Sequence, residues 1–209
     1  MNAQWYFDFI SPFSYLQLGK LRQWRQRFDI MPVPIAFGAV LKHHGNIGPA
    51  EIPGRREFTY RFVQWQAEHA GTALHFPPAH PFNPLTALRL CIAAGASWDS
   101  VEAIFNHLWR EGHAGTNAAE LAEVGRALRI TDVENAANSE KVKMQLRANT
   151  DAALATGVFG VPTLRVGDEL FWGNDASPLI DDWLAHPDRF TDAEYARIAN
   201  LPTGIQRQR

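Results

Sequence analysis

Ser11 and Pro12 follow a short aromatic run, Gln4-Trp5-Tyr6-Phe7-Asp8-Phe9-Ile10, and lead into a stretch with apolar Phe13, Tyr15, Leu16 and Leu21. Serine is a good helix N-cap, and proline fits the first helical position because its missing N–H would be unpaired there anyway. A helix start also presents unpaired N–H groups and about half a positive charge, which stabilises a thiolate whether the sulfur belongs to the protein or to a bound ligand. On its own, the Ser-Pro pair is better explained by capping. Cys91 is the only cysteine, so no internal disulfide can form, and its apolar helical surroundings read as those of a buried small hydrophobe. His43 and His44 are adjacent, while His75, His80, His107 and His113 are scattered without a metal-ligand pattern such as His-Glu-x-x-His, so no metal is expected. Gly-x-Ser-x-Gly and P-loop patterns are absent.

Two further segments stand at the start of a strand and of a helix. Val161-Pro162 follows Phe159-Gly160, and Trp172-Gly173-Asn174-Asp175 lies between a strand and a helix, where Asn or Asp is an ordinary N-cap. Gly45-Asn46-Ile47-Gly48-Pro49 with Arg55-Arg56 reads on its own as a pair of solvated arginines at a helix start. Phe82-Asn83-Pro84 reads most simply as a turn before a helix.

The elements that must position these residues are legible as a pattern. A strand over 4–10, a helix from Ser11 to about Phe28 and a second strand near Met31–Phe37 begin a βαβ unit, with Pro32 and Pro34 marking the second strand as edge or irregular. Helices are predicted over 56–70 and from Pro84. The clearest spans 98–110, where Val101, Ile104, Phe105, Leu108 and Trp109 share one face. Asn117 with Glu120 and Thr131 with Glu134 look like capping-box starts, and a long helix runs from about Ser139 to Gly157. A hairpin over Val161–Trp172, turning at Gly167-Asp168, precedes a last helix near 176–186 and a polar tail. An α/β domain interrupted by helices explains this order better than two domains in series. The formal net charge of −2 without a basic stripe argues against nucleic acid, and no apolar run is long enough for a membrane span. No secretory signal pattern follows Met1, so a cytoplasmic protein is expected.

Ser11-Pro12-Phe13-Ser14-Tyr15, Phe159-Gly160-Val161-Pro162-Thr163 and Trp172-Gly173-Asn174-Asp175, in this order, resemble the 2-hydroxychromene-2-carboxylate isomerases, which belong with kappa-class glutathione transferases and DsbA-like proteins. The resemblance covers nearly the whole chain. It implies a thioredoxin-like domain over 1–40 and 140–209 with an all-helical insertion over 41–139, glutathione as cofactor, and a homodimer. It also implies a small aromatic hydroxy- or keto-acid as substrate in naphthalene-type catabolism. Serines would stand at both Cys-x-x-Cys positions. Ser11 would be catalytic, donating to the glutathione sulfur, and a cis Val161-Pro162 would hold the cysteinyl backbone. Trp172, Gly173, Asn174 and Asp175 would bind the γ-glutamyl end, Asn46 and Arg55 the glycine carboxylate, and Phe82 and Asn83 the substrate. Phe13 and Tyr15 favour an isomerase. A kappa-type transferase, which would consume the thiol, and a non-enzymatic thioredoxin-fold binding module are the alternatives.

Overall fold

In a computed structural model describing residues 2–205, the aromatic run forms β1 (Asn2–Phe7). Strand side chains alternate between faces, so Trp5 and Phe7 share one face, with ring centroids 4.5 Å apart. Phe9 extends that face, 5.3 Å from Phe7. Tyr6 enters the opposite cluster with Val33, Ile35, Val40, Ala153, Val158 and Val161. These four aromatics are buried, so β1 is covered on both sides. The strand ends earlier than the sequence suggests because Asp8 turns the chain, its carboxylate accepting the Ile10 N–H at 3.0 Å.

Ser11 caps α1 (Pro12–Trp24), which stops short of Phe28. β2 (Asp29–Pro34) then runs parallel to β1, closing the βαβ unit. The sheet order β2-β1-β3-β4 leaves β2 on an edge, where its prolines cost no ladder bond. Phe37 does not end this strand; it opens α2 (Phe37–His43), because its N–H is taken by the distant Asp8 carboxylate at 2.8 Å. A cap supplied from 29 residues away leaves no local trace in sequence.

The helical stretch continues with α3 (Arg55–His69), α4 (Leu85–Ala93), α5 (Trp98–Phe105), α6 (Ala122–Ala127), α7 (Val133–Asn138) and α8 (Glu140–Ala155). The predicted apolar face of 98–110 is buried throughout, but from Asn106 to Arg110 the helix widens into a π turn. Phe105 packs against Phe9 at 4.6 Å, Phe7 at 5.7 Å and Trp5 at 6.2 Å, joining this helix to β1. The two capping-box expectations are shifted. Asn117 accepts the Glu120 N–H in a turn before α6, and α7 is capped by Asp132 rather than Thr131. β3 (Thr163–Val166) pairs antiparallel with β1, and β4 (Glu169–Trp172) with β3, across a turn in which Gly167 has φ 62°.

The chain divides between Asn174 and Asp175 into two compact units. The second carries α9 (Ser177–Ala185) and α10 (Ala193–Ala199). α10 lies in what reads as a polar tail, and Asp192 caps it by accepting the Tyr195 N–H at 3.0 Å. Among the described residues, no helix is long and apolar enough to cross a membrane.

Phe105 bridges three β1-side aromatics with no exposed surface of its own. Phe105→Ala is expected to destabilise the chain by about 3–5 kcal/mol in urea unfolding. A loss under about 1 kcal/mol would show that this cluster is not what fastens the helix to the sheet.

Candidate active site

Ser11 is buried at 7% exposure, and its Oγ accepts the Ser14 N–H at 3.3 Å. The hydroxyl thus uses a lone pair on the helix while its proton has no acceptor among the described residues. Ser14 is fully buried, and its Oγ has no hydrogen-bond partner among the described residues. Buried hydroxyls are normally satisfied, so two incompletely satisfied ones at one helix start set this turn apart. The turn before them is gripped carbonyl by carbonyl. Asp8 O accepts from Ser11 N at 3.1 Å, Phe9 O from Trp109 Nε1 at 2.8 Å, and Ile10 O pairs with His80 Nε2 at 2.9 Å.

On the sheet side, the Val161–Pro162 bond is cis, as the resemblance implies. The antiparallel ladder with β1 ends at Tyr6↔Thr163, so Pro162 is the residue just before β3. Neither the N–H nor the C=O of Val161 is engaged by another described residue. Pro162 O accepts from Gly173 N at 2.9 Å, and Gly173 O accepts from Gln17 Nε2 at 3.0 Å. Gln17 lies on α1 and is itself fixed by the Trp5 indole N–H at 2.8 Å. Sequence reading did not single out Gln17, yet it ties Gly173 to the helix that Ser11 starts. Gly173 has φ 94°, a conformation that glycine adopts without strain. Trp172 is 52% exposed and packs on Phe159 at 5.2 Å; a side chain at Gly160 would strike its indole. Asn174 donates to Gln66 Oε1 on α3 at 3.1 Å. Asp175 is exposed and begins the second unit.

The helical stretch supplies an aromatic box around His80. Its ring lies 5.4 Å from Tyr60 and Trp109, 6.2 Å from Phe82 and 6.3 Å from Phe76. Burial holds His80 below its ordinary pKa, with the Arg56 charge adding to that and the Ile10 carbonyl opposing it. A neutral ring that donates from Nε2 to Ile10 accepts at Nδ1, where the Tyr60 hydroxyl lies at 2.7 Å. Phe82 joins this box. Asn83 is exposed and spends its carbonyl on the Leu85 N–H, the turn role that sequence alone favours. Arg56, not Arg55, reaches the box, donating to His80 O at 2.9 Å. Arg55 and Asn46 are exposed, Arg55 as the first residue of α3 and Asn46 after α2. A hollow of about 470 Å³ lined by Asn2, Gln4, Asp29, Met31 and Arg165 belongs to the other end of β1 and contains none of these residues.

Cys91 cannot supply sulfur chemistry. It is fully buried on α4, and burial pushes its thiol up to about 12 against the Ser100 hydroxyl contact. The Ser-Pro-Phe-Ser helix start and the cis Val161–Pro162 bond thus stand in a chain whose one cysteine is buried on α4. Residues 4–185 match the family described as DSBA-like thioredoxin domain. The chain belongs to this family.

Within the family, it is 33% identical over 188 residues to a 2-hydroxychromene-2-carboxylate isomerase of Pseudomonas sp. (strain C18), covering 86% of this chain and 88% of that protein. It is 28% identical over 207 residues to glutathione S-transferase kappa 2 of Caenorhabditis elegans, covering 88% and 92%. A solved structure of 2-hydroxychromene-2-carboxylate isomerase superposes with a TM-score of 0.76 at 27% identity, covering 97% of this chain and all of the other.

In this DSBA-like chain the buried acid is Asp8. Burial pushes its carboxyl up to about 7 from the ordinary 3.8, against the pull of the Ile10, Phe37 and Phe9 N–H groups. Between those two values the folded chain keeps a proton that the unfolded chain has lost, so stability falls as pH rises. The expected slope approaches about 1.4 kcal/mol per pH unit and flattens above about pH 7. Asp8→Asn should remove that slope from urea unfolding measured between pH 5 and 7.5. The same slope in the variant would assign the titration to another group.

Proposed function

We propose that the chain is a glutathione-dependent isomerase acting on a small aromatic keto-acid, of the kind that interconverts 2-hydroxychromene-2-carboxylate and trans-o-hydroxybenzylidenepyruvate. The observation that carries this reading is the pair of buried serine hydroxyls at the α1 start, Ser11 with a free proton and Ser14 without a partner, in a chain whose only thiol is locked in α4. Glutathione, when bound, supplies a thiolate that can add reversibly to a conjugated carbon, letting the double bond rotate without net redox change.

The chain's own residues have four tasks. Ser11 and the helix start hold the sulfur as an anion. A thiol with pKa near ~8.5 is only about 3% ionised at neutral pH, and a hydrogen bond to a charged group contributes about 1.5–3 kcal/mol towards changing that. Val161 pairs with the peptide backbone through its free N–H and C=O, as an added strand would. The Trp172-Gly173-Asn174 turn and Asp175 receive the γ-glutamyl end, while Asn46 and Arg55 receive the glycine carboxylate. Phe82, Asn83 and the aromatic box around His80 take the flat substrate. The discontinuous domain division at 40 and 140 and the homodimer belong to the same reading, on the resemblance, and a cytoplasmic setting belongs to it on the composition of the sequence.

The similarity to a kappa-class transferase supports a second outcome at the same site, in which the thiol stays on the product. Isomerisation assayed with and without glutathione separates the readings. Catalytic need for the thiol without its consumption supports the isomerase. Consumption supports the transferase, and absence of glutathione binding removes both. Ser11→Ala should slow turnover about 10- to 150-fold, the kinetic equivalent of that hydrogen bond, while costing about 0.5–2 kcal/mol of stability as a lost cap. A variant that loses stability alone would leave Ser11 as a cap and nothing more.

A further inference from the structure

The π turn after α5 brings together three side chains that the glutathione site does not use. His107 is buried at 7% exposure, whereas Glu111 and His113 have side chains about half exposed, at 54% and 53%. In a regular helix, residues 107 and 113 would sit well around the axis from each other. Here the widened turn, with Glu111 N donating to Asn106 O at 2.9 Å, is followed by Gly112 at φ 74°. His113 N then donates back to His107 O at 3.0 Å. The position of Gly112 is tight: a Cβ there would lie 2.9 Å from His75 Cβ and 3.2 Å from Phe76 O. The fold therefore accommodates only glycine at the point that turns His113 onto His107.

The two imidazoles meet through Nδ1, 3.3 Å apart, and Glu111 Oε2 lies 3.4 Å from His113 Nδ1. One potential ligand atom from each of the three residues falls within 4.8 Å of the others. Two ligand atoms held at about 2.0–2.1 Å from a tetrahedral zinc ion stand about 3.3–3.4 Å apart, so both measured contacts equal an edge of that tetrahedron. The far side of His107 is also set for a metal. Its Nε2 lies 3.0 Å from Ala114 O, an acceptor, so Nε2 carries the proton and Nδ1 presents a lone pair towards His113. Metal-ligating histidines are held in this way, the second ring nitrogen donating to a carbonyl or carboxylate.

We propose that His107, Glu111 and His113 form a binding site for a divalent cation of the zinc class, with Nδ1, carboxylate and Nδ1 as ligands and the fourth position open to water. Two imidazoles and one carboxylate suit zinc rather than magnesium or calcium, which prefer oxygen ligands. The half-exposed Glu111 and His113 leave the ion a path from solvent. Without an ion, the same geometry is a His113 N–H shared between His107 and Glu111. The site is independent of the glutathione reading.

Isothermal titration of the full chain with zinc chloride in thiol-free buffer tests this, with cobalt(II) as a second probe whose visible absorption reports tetrahedral coordination. The expected result is saturable uptake of about one zinc per chain and a tetrahedral cobalt spectrum. His113→Ala should abolish both with an unchanged far-ultraviolet dichroism spectrum. Glu111→Gln should weaken uptake by at least the about tenfold that loss of a mere outer partner costs. No saturable uptake by the parent chain, or equal uptake by either variant, would overturn the site.

Discussion

A buried carboxylate with backbone partners on both sides organises the front of the first helix. Asp8 accepts the N–H groups of Ile10 and Phe37 through its two oxygens, and its own carbonyl accepts from Ser11. One residue thus joins the end of β1, the start of α1 and the start of α2, which leads on towards Asn46. Burying a carboxyl is costly unless it is hydrogen-bonded, and here the N–H donors offset only part of that cost, as its raised pKa records. What is obtained is position. The carbonyls of Asp8, Phe9 and Ile10 are all spoken for, by Ser11, Trp109 and His80, so the helix start can face a ligand without rearranging.

That arrangement separates two properties a thiol-based centre normally combines. The helix start supplies hydrogen-bond donors and partial positive charge, but both side chains there are serines. The one cysteine sits on α4 with its ionisation suppressed. Under the proposed reading, the fold supplies the electrostatics and a ligand supplies the sulfur. Gln17 fits the same logic. It is buried and polar, and it has both an acceptor and a donor task, linking Trp5 to Gly173 across α1. The proline and glycine loops that flank the helix are thereby fixed to it rather than merely adjacent.

The sequence reveals what local chemistry determines. Ser11-Pro12 reads as a helix start because cap and proline act within one turn, and Gly167-Asp168 reads as a hairpin turn for the same reason. The periodicity of 98–110 identifies a buried face correctly but is silent about the π turn, since Leu108 and Trp109 stay buried within it. Long-range polar contacts are where local reading fails. Phe37 opens α2 because Asp8 caps it, and Arg56 rather than Arg55 reaches the aromatic box because of where His80 lies. Asp8 itself left one usable signal, a carboxylate inside an aromatic run otherwise destined for the core. His80 left none, lying between prolines in what reads as a loop. Among the proposed binding residues, Pro162 and Gly173 are linked to α1 through Gln17, whereas Asn46 and Arg55 stand exposed and are assigned by resemblance alone.

The helical stretch and the sheet communicate through one side chain in particular. Trp109 donates its indole N–H to Phe9 O at the site and packs its ring 5.4 Å from both Phe76 and His80, so it forms part of the wall beside Phe82. The π turn that carries Trp109 also carries His107. Trp109 and His107 find separate partners from this one turn, Trp109 at Phe9, Phe76 and His80 and His107 at Ala114 and His113. The aromatic wall and the Phe9 carbonyl near the helix start thus share Trp109 as a common partner.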